Sequence, residues 1–545
     1  MFIKDTTIKN FKCFSDNTVS FCIPDGKNEC SGLNIFVGEN NSGKSSIMEA
    51  LYFLRNKIKS DPKRIGAGED DEYYVECNFV GDVEKAIEDF AQDNKVGIFK
   101  THVYNSDGGP TLTVRKDFQS DHAAKKIFFW SETEGYKPIG LDASFQRIFQ
   151  ISNIWARTNP EDESKFGAST VCGNLLNDIS KKFKLDHSEQ YQQFLKIFNE
   201  VFNDEHAGLQ GNLNQVAKET QQIMNEQFGP VDLKFQFDNP DPNILFKNIK
   251  LLVDDGEETE LAEKGHGMQR AVILSLLQVY ARRITELEDE EGNVKIKPHF
   301  LFIDEPEMGL HPQAQKKLFD ALKIIAKTHQ VFISTHSENF VSADLTKNIT
   351  RFQKEKNGIS THTLANTDID LKPYRKFFFH HHKLFFARKA LFVEGADDYE
   401  YMLMFVRAND LDDLQKDFYM MRGSGNGHMF RQFCDALGIN SYFIYDVDVL
   451  SSHKSDLHGF DEGVHNRCVV LGKRCSKKDP SNLQDANLTP NQLKEKDTII
   501  DILKTKGVYV LRDGAVEQYL NESGEATDDA KRDELRMIFS SIKEM

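Results

Sequence analysis

The segment LNIFVGENNSGKSSI, residues 33–47, decides the fold class of this chain. It opens with an apolar run typical of a buried strand, continues as a glycine-containing loop, and becomes a helical pattern near Lys44. Residues 38–45, GENNSGKS, match the template G-x-x-x-x-G-K-[ST] at every fixed position. A strand, this loop and a helix in that order predict a P-loop, a structure that holds nucleotide phosphates.

Each residue type in the loop has an expected task. Glycines let backbone N–H groups curl around phosphates at a helix N-terminus, Lys44 reaches the β and γ phosphates, and Ser45 ligates magnesium. A chance loop with the same spacing is the alternative, and the flanking strand and helix argue against it. The expected nucleotide contacts here are Gly38, Asn40, Asn41, Gly43, Lys44, Ser45 and Ser46.

A second apolar strand, in FLFIDEPEMGLHP at residues 300–312, delivers Asp304 and Glu305 to its end. Asp304 is expected to hold the magnesium ion, and Glu305 to orient or deprotonate the attacking water. A capped strand end would explain one acid better than two consecutive ones. The segment VFISTHSENF then places His336 after another strand, where it could contact a γ phosphate. By itself such a histidine is more often a satisfied core residue.

A further pattern of acids begins in LFVEGADDYEYM, residues 391–402, where an apolar strand runs directly into charged residues. Glu394 lies at the strand end and Asp398 on the first turn of the following helix. Burying a carboxylate beside a sheet core costs several kcal/mol unless something compensates it, and a divalent cation compensates it strongly.

The segment YFIYDVDVL, residues 442–450, ends a second apolar strand with Asp446 and Asp448. Alternation along a strand would place these two side chains on one face. Adjacent parallel strands could then bring three or four carboxylates to one point. Hard oxygen ligands of this kind suit Mg²⁺ or Mn²⁺, and without a cation their mutual repulsion raises their pKa values or destabilises the fold.

Composition narrows the possible classes of protein. A chain of 545 residues accommodates about two to four domains. No run of about 20 apolar residues predicts a membrane span, and the start, MFIKDTTIKNFKCF, lacks the apolar core of a signal peptide, so a cytoplasmic protein is expected. The 8 cysteines form no CxxC pair, which argues against a structural zinc or redox site. The net charge of -17 argues against coating nucleic acid through bulk electrostatics.

The segment IKNFKCF, the P-loop, IDEPEMGLHP and the STHS histidine together resemble the ABC-type ATPases of the RecF, SMC and Rad50 group. The resemblance implies two ATPase heads that sandwich ATP, each offering a signature loop to the nucleotide of the other. The candidate signature is EKGHGMQRAVILSLL, in which Gly265 and Gly267 open a long helix. It departs from the Ser-Gly-Gly core of that group because His266 stands between the glycines.

A glutamate-glycine strand end followed by a D-x-D strand end, with RGSGNGHMFRQFCDALGI between them, resembles the TOPRIM domain of topoisomerases, primases and certain nucleases. A TOPRIM domain after an ABC-type ATPase is similar to the OLD (overcoming lysogenization defect) family of nucleases, which includes effectors of anti-phage defence. The implied fold class is α/β, with an ABC-type ATPase head, a helical dimerisation insertion, and a TOPRIM α/β domain built on a parallel sheet.

The family pattern adds a late acid, matched by Glu517 in VYVLRDGAVEQYL. Carried over by position, one metal ion would be held by Glu394, Asp446 and Asp448, and a second held or shared by Asp398 and Glu517. An ordinary helix-cap acid is the alternative for Glu517.

Basic groups complete this comparison. Lys473 and Lys531 are the candidates for the basic residue that assists late in these domains. Three adjacent histidines, His380 to His382, are interpreted as part of a basic, aromatic linker able to stack on or neutralise nucleic acid, and metal binding there is disfavoured.

The expected domain boundaries follow from these motifs and from a change to helical periods rich in Gln, Asn, Glu and Lys near Phe145. They are an N-terminal ATPase part at 1–144, a helical insertion at 145–228, a C-terminal ATPase part at 229–369, the linker at 370–384 and TOPRIM at 385–545.

The leading hypothesis is an ATP-binding and ATP-hydrolysing, metal-dependent endonuclease that cuts DNA, forms a homodimer or higher homo-oligomer through its heads and insertion, and acts in anti-phage defence, with a further defence-system partner possible. One rival is a RecF- or SMC-like repair ATPase that binds DNA without cutting it. Another keeps the nuclease but acts on RNA such as tRNA. A topoisomerase or primase is disfavoured because no nucleophilic tyrosine or zinc module is visible. Whether ATP activates or restrains cutting stays open.

Overall fold

The structure is a computed structural model, and it describes residues 1–56, 58, 63–64, 67–68, 71–106, 108–117, 127–156, 188–202, 213–221, 251–284, 297–355, 360–364, 381–450, 457, 460–472 and 483–544. The chain divides into two compact units. Unit 1 combines Met1–Phe149 with Ala326–Met545, and unit 2 is Gln150–Ile325. The two segments of unit 1 contain both the P-loop and the predicted TOPRIM region.

The strands of the described residues are numbered β1 to β19 in chain order. They are Phe2–Phe11, Phe14–Ser20, Leu33–Gly38, Tyr74–Val80, Val103–Ser106, Gly109–Asp117, Ile127–Ser131, Gly135–Pro138, Gln150–Ile154, Leu252–Asp254, Glu258–Glu260, His299–Asp304, Gln330–Ser334, Ile349–Lys354, Ser360–Leu364, Lys389–Val393, Phe418–Met420, Asn440–Tyr445 and Val508–Val510.

The α-helices are numbered α1 to α14 in the same way. They are Lys44–Arg55, Val83–Phe90, Asp93–Lys100, Asp142–Ile148, Ser188–Phe202, 213–221, His266–Ile284, Pro312–Ile325, Ala396–Ala408, Gly427–Ala436, Glu462–Gly472, Pro490–Thr505, Val516–Tyr519 and Asp529–Glu544. Among the described residues, none of the helices combines the length and the apolar character that crossing a bilayer requires.

The first strands of unit 1 form an antiparallel sheet in the order β2-β1-β4-β6-β7-β8, and β5 also pairs with β6. Residues along its strands alternate between buried and partly exposed because one face of the sheet is buried. In β4, for example, Val75, Cys77 and Phe79 are buried, while the residues between them are partly exposed. The N-terminal part of the chain therefore buries one face of this sheet.

The P-loop follows the central strand of a second sheet in unit 1, where β15, β14, β3 and β13 pair in that order. Strand β3 runs parallel to both β13 and β14, and β14 pairs antiparallel with β15. All residues of β3 are buried, as expected for a central strand covered on both faces. In unit 2, β9 runs parallel to β12.

Strand β9 corrects one prediction. Its residues Gln150–Ile154 fall inside the segment 145–228 that was interpreted as helical. The register of β9 pairs Ile151 with Phe300 and Ile154 with Ile303, so burial against β12 outweighs the helical period of the surrounding sequence. Helices α5 and α6 also lie within this segment, and its residues 157–187, 203–212 and 222–228 lie outside the described residues.

The C-terminal part of unit 1 contains a four-stranded sheet in the order β17-β16-β18-β19. All its pairs are parallel, so the carboxyl ends of its strands lie along one edge. Helices α9 and α14 cover it, and its core includes Val393, Phe405, Ile444, Leu511 and Phe539. This shared edge positions the acids predicted from the sequence.

Candidate nucleotide site and carboxylate centre

Two glycines fix the backbone of the P-loop. Gly38 has a φ of 138°, and a Cβ there would overlap the carbonyl oxygen of Phe352 in β14. Gly43 has a φ of 110°, and its Cβ would lie 2.8 Å from the ring of Phe14. Asn41 adopts a φ of 60°, a value that asparagine tolerates better than most residues. The loop therefore has a fixed shape set by close backbone packing.

Polar groups line the inside of this loop. Lys44 is 5% exposed, and its Nζ donates hydrogen bonds to the carbonyl oxygens of Gly38 at 3.0 Å and Glu39 at 2.8 Å. Among the described residues, Ser42 Oγ is buried without a hydrogen-bond partner. A loop that curls around a buried cation and an unpaired hydroxyl fits a phosphate group.

The other predicted loop residues sit around this cradle. Asn40 and Asn41 are exposed at the tip, while Ser45 and Ser46 are partly buried in the first turn of α1. His336 follows β13 in unit 1 and is exposed. Its contact with a γ phosphate stays a prediction.

Unit 2 carries Asp304 and Glu305, the two acids predicted to serve the nucleotide site. Asp304 is the last residue of β12 and 5% exposed, and Glu305 follows with a φ of 50°. A glutamate in this left-handed region signals local strain, which is common at functional sites. Arg270 of α7 is 6% exposed, and burial lowers its pKa while Glu305 and Asp304 oppose that shift. Sequence reasoning missed Arg270, although it lies inside the candidate signature, three residues after Gly267.

The candidate signature itself is tightly packed at one glycine. A Cβ at Gly267 would lie 2.6 Å from the carbonyl oxygen of Gly309, which has a φ of 74°. Helix α7 begins at His266, and both His266 and Gly265 are exposed. The glycine at 267 is therefore required for packing, whatever its role toward a nucleotide.

The parallel C-terminal sheet brings all five predicted acids together. The carboxylates form two groups, and within each group the ligand oxygens all lie within 4.8 Å of one another. The first group contains Glu394, Asp446 and Asp448, and the second contains Asp398, Asp446 and Glu517. Asp446 belongs to both groups, so the arrangement is one continuous centre.

The local geometry differs from the prediction at Asp446 and Asp448. Strand β18 ends at Tyr445, and Val447–Leu450 form a 3-10 turn, so strand alternation does not relate the two aspartates. The tight turn brings Asp448 back toward Glu394 instead. Glu517 lies in the four-residue helix α13, which begins shortly after β19.

Hydrogen bonds fix this arrangement from the backbone. The N–H of Asp446 donates to Glu394 Oε1 at 3.2 Å, and the N–H of Val516 donates to Asp446 Oδ1 at 3.1 Å. Asp398 Oδ2 accepts from the N–H of Gly395 at 2.8 Å, and so caps its own helix. One carboxylate oxygen thus ties the strand end carrying Glu394 to Asp446, and another ties the loop before Glu517 to the same residue.

The electrostatics of the centre are unfavourable without a cation. Burial raises the pKa of Asp446 to about 8, with further contributions from Asp398, Glu394, Asp448 and Glu517. Burial also raises the pKa of Asp398, opposed by its hydrogen bond from Gly395. A cluster of carboxylate oxygens that repel one another at this spacing fits hard divalent ions such as Mg²⁺ or Mn²⁺.

A buried network supports the loop that carries Glu517. The ammonium of Lys496 is fully buried and donates to Leu483 O at 2.7 Å, Asp485 Oδ1 at 2.8 Å and Arg512 O at 2.6 Å. These bonds hold Arg512, at the start of the loop, from one side.

Helix α14 holds the same loop from the other side. Glu534 accepts from the N–H of Arg512 at 3.1 Å and from the hydroxyl of Tyr519 at 2.7 Å. The Tyr519 hydroxyl in turn accepts from the N–H of Asp513 at 3.0 Å. Sequence reasoning missed Lys496 and Glu534, because no motif marks them.

The structure describes the surroundings of Lys531 and His381 among the predicted basic residues. Lys531 donates to Gln518 O at 2.9 Å and to Thr527 Oγ1 at 3.2 Å, next to α13. Lys473 and His380 lie outside the described residues. His381 is 6% exposed, and its ring packs edge-on against Tyr419 and Phe430, so the prediction that it stacks on nucleic acid is wrong.

Comparisons with known proteins agree with this architecture. Residues 1–341 match the family model described as AAA ATPase domain, and residues 385–448 match the one described as overcoming lysogenization defect protein-like, TOPRIM domain. The Old nuclease of Escherichia phage P2 is 26% identical over 533 residues, 88% of each chain.

Other matches to known proteins have lower sequence identity. The OLD nuclease of Thermus scotoductus is 21% identical over 470 residues, 82% of each chain. The Retron Ec83 probable ATPase of Escherichia coli is 23% identical over 396 residues, 62% of this chain and 68% of that one. A solved SMC head bound to the C-winged helix domain of ScpA covers 66% of this chain and 97% of its own, at 15% identity and a TM-score of 0.38.

The two matched models stand in the predicted order, and the predicted α/β fold class is confirmed. Domains of these two types use a nucleotide and a divalent metal. The chain therefore belongs to the OLD family, and it is an enzyme that joins an ATPase domain to a C-terminal TOPRIM nuclease domain.

Proposed function

We propose that this protein binds and hydrolyses ATP in its N-terminal domain and uses divalent metal in its TOPRIM domain to cut phosphodiester bonds in DNA. One observation carries the proposal: five carboxylates from three segments of the chain form two groups that share Asp446. Acids packed this closely are costly to fold, and cation binding is the function that accounts for the cost.

In the ATPase domain, Lys44 contacts the β and γ phosphates within the P-loop, and Glu305 orients the attacking water. Gly265 and Gly267 approach the nucleotide of a partner head, and His336 contacts the γ phosphate. The proposed magnesium ligands are Ser45 and Asp304.

In the TOPRIM domain, the acids divide between two ions. Glu394, Asp446 and Asp448 would hold one ion, and Asp398 and Glu517 would join Asp446 at the second. Two divalent ions would supply activated water and stabilise the leaving oxygen. The backbone bonds from Asp446 to Glu394 and from Val516 to Asp446 keep the carboxylates in place before metal arrives.

The centre recognises the phosphodiester and not the sugar, because carboxylate-bound metal acts on phosphate oxygens. DNA is the proposed substrate, and RNA such as tRNA is the alternative that the same chemistry allows.

The proposed assembly is a homodimer or higher homo-oligomer through the ATPase heads and the helical insertion. Helix α5 supports this assembly: its exposed apolar side chains Phe194, Ile197 and Val201 are 41%, 59% and 54% exposed. Their spacing of three and four residues places them on one face. A cytoplasmic role as an anti-phage defence effector, with a further partner from the same system, completes the proposal.

The test is a nicking assay on supercoiled plasmid with Mg²⁺ or Mn²⁺, with and without ATP, and with a parallel tRNA arm. Asp446→Asn keeps the side-chain shape and removes the shared charge, so nicking falls by about 100-fold or more. Asp501→Asn, at an exposed position of α12, is the matched control and keeps wild-type activity. Equal nicking by wild type and Asp446→Asn rejects the nuclease assignment, and cleavage of tRNA alone replaces DNA by RNA.

A further inference from the structure

An arginine from the sheet that carries the P-loop reaches into the TOPRIM domain. Arg351 lies in the middle of β14, is 2% exposed, and is among the largest fully buried side chains of the described residues. Its Nη1 donates to the carbonyl oxygens of Leu437 and Gly438, both at 3.2 Å, and its Nη2 donates to Ala387 O at 2.6 Å.

The environment of this guanidinium is unusual for a structural arginine. Its Nη1 also donates to Gln353 Oε1 at 3.0 Å, so the hydrogen-bond acceptors of its two Nη atoms are neutral oxygens, and among the described residues its Nε is buried without a hydrogen-bond partner. Burial lowers the pKa of Arg351 to about 10, and the largest opposing influence is the charge of Glu39. Removing such a group from water is costly, so an apolar residue of similar volume would serve packing equally well or better.

On the ATPase side, Arg351 is adjacent to the nucleotide loop. The register of β14 and β3 pairs Arg351 with Val37 and Phe352 with Gly38, the first residue of the loop. The carbonyl of Phe352 touches Gly38 so closely that no side chain fits between them. Glu39, the next residue of the loop, supplies the charge that acts on Arg351. A shift of the loop backbone therefore changes both the position and the electrostatic surroundings of this strand.

On the TOPRIM side, the three accepting carbonyls precede the strands that carry the acids. Ala387 lies just before β16, which ends next to Glu394. Leu437 and Gly438 connect α10 to β18, which ends next to Asp446. Strands of this length transmit a displacement over about 17 to 20 Å, because a packed strand moves as a rigid element.

Phosphate binding in the P-loop provides a way to shift the loop backbone that packs on β14. The ammonium of Lys44 now holds Gly38 O and Glu39 O. A phosphate in the loop competes for that ammonium. The two carbonyl groups that the ammonium then releases belong to Gly38, which packs on Phe352, and to Glu39, whose charge acts on Arg351.

We propose that Arg351 is a positioning residue through which nucleotide bound at the P-loop sets the placement of Glu394 and Asp446, so that it controls the rate of cutting by the carboxylate centre. The proposal rests on the proposed nuclease function and names the element that couples its two domains. Arg351 touches neither nucleotide nor substrate, and it acts through strands β16 and β18.

The experiment compares the nicking rate with ATP, with a non-hydrolysable ATP analogue and with no nucleotide, in wild type, Arg351→Met and Arg351→Lys. In wild type, nucleotide changes the rate by about fivefold or more in one direction. In Arg351→Met this ratio falls to about one, while ATP hydrolysis and nucleotide-free nicking each stay within about threefold of wild type. Arg351→Lys keeps the charge but loses the planar fork, and it retains part of the ratio.

Arg431→Met is the matched control. Arg431 also donates to a backbone carbonyl, Lys506 O at 2.6 Å, but both partners lie within the TOPRIM region. This variant keeps the wild-type ratio. A wild-type ratio of one, or an unchanged ratio in Arg351→Met, overturns the coupling while leaving the nuclease intact. Absence of cutting in every sample instead overturns the proposed nuclease function, together with the coupling that depends on it.

A measurement on the wild type covers the case in which Arg351→Met does not fold. Addition of the non-hydrolysable analogue changes amide hydrogen exchange at 387–393 and 437–445 by about fivefold or more, and leaves 490–505 unchanged. Equal exchange at 387–393 and 437–445 with and without the analogue contradicts the coupling.

Discussion

The nucleotide loop and the carboxylate centre are built on opposite principles. The loop is local: a few consecutive residues have their shape fixed by glycines that pack against Phe352 and Phe14. The centre is assembled from residues 394 to 517, and the ends of parallel strands bring them together. Backbone sterics therefore dominate the first site and charge repulsion dominates the second. A substitution of shape should harm the loop, whereas a substitution of charge should relieve the centre.

The largest expected effect is at the loop. Gly38→Ala places a methyl group against the Phe352 carbonyl at a φ of 138°, so we expect the free energy of unfolding to fall by about 3 kcal/mol. Urea titration of the metal-free and nucleotide-free protein measures it. Gly26→Ala is the control, because Gly26 also has a positive φ, 70°, but faces open space. It should cost about 1 kcal/mol. Equal costs for the two variants would show that close packing on β14 does not constrain the loop.

A smaller effect of opposite sign is expected at the centre. The pKa of Asp446 is raised to about 8 in the folded protein, compared with about 3.9 in an unfolded chain. Such an acid stabilises the fold fully below the unfolded pKa, and this contribution is lost as pH rises toward 8. With metal removed by EDTA, the stability of Asp446→Asn relative to wild type should therefore rise by about 2 kcal/mol as pH increases from about 6 to about 8.

Thermal melts at several pH values check this second prediction. Added Mg²⁺ or Mn²⁺ should raise the melting temperature of wild type and leave Asp446→Asn unchanged, because only the wild type retains the shared ligand. Asp501→Asn, at an exposed position, should show no pH-dependent difference from wild type. A constant difference between Asp446→Asn and wild type across this range contradicts the account of repulsion.

The smallest effect is expected at Lys531. Its ammonium is engaged by Gln518 O and Thr527 Oγ1, and its ion pair with Asp528 is 3.3 Å long. We expect Lys531→Met to change nicking by less than about threefold and stability by less than about 1 kcal/mol. The control is Arg532→Met, which removes the exposed ion pair between Arg532 and Asp529 in α14. A loss of nicking of about 100-fold in Lys531→Met alone would make Lys531 the assisting base.

The difference between the two sites also explains what the sequence could predict. The P-loop and the acid pair at 304 and 305 are contiguous motifs, and the buried strands before them were evident from apolar runs. The resemblance to TOPRIM domains implied a parallel sheet after residue 385, and parallel strands share one carboxyl edge. That reasoning places Glu394 and Asp446 in one region from the sequence alone.

Other features depend on tertiary contacts that leave no local pattern. Asp448 reaches the centre through a 3-10 turn and not through strand alternation. Strand β9 was hidden in a helical composition because its partner β12 lies far along the chain. Arg351 and Lys496 resemble any other cation in the sequence, and only their bonds to distant carbonyl oxygens distinguish them.

Helix α14 gives the far C-terminus an unexpected importance. Every proposed metal ligand precedes residue 518, yet Glu534 holds the loop on which Glu517 is mounted. A copy shortened by a protease or an early stop codon before this helix would keep all its ligands and its complete P-loop. Such a copy would lose the contacts that hold Glu517 and the apolar side chains that α14 packs on the TOPRIM sheet, so removing the last residues would impair metal binding as effectively as replacing a ligand.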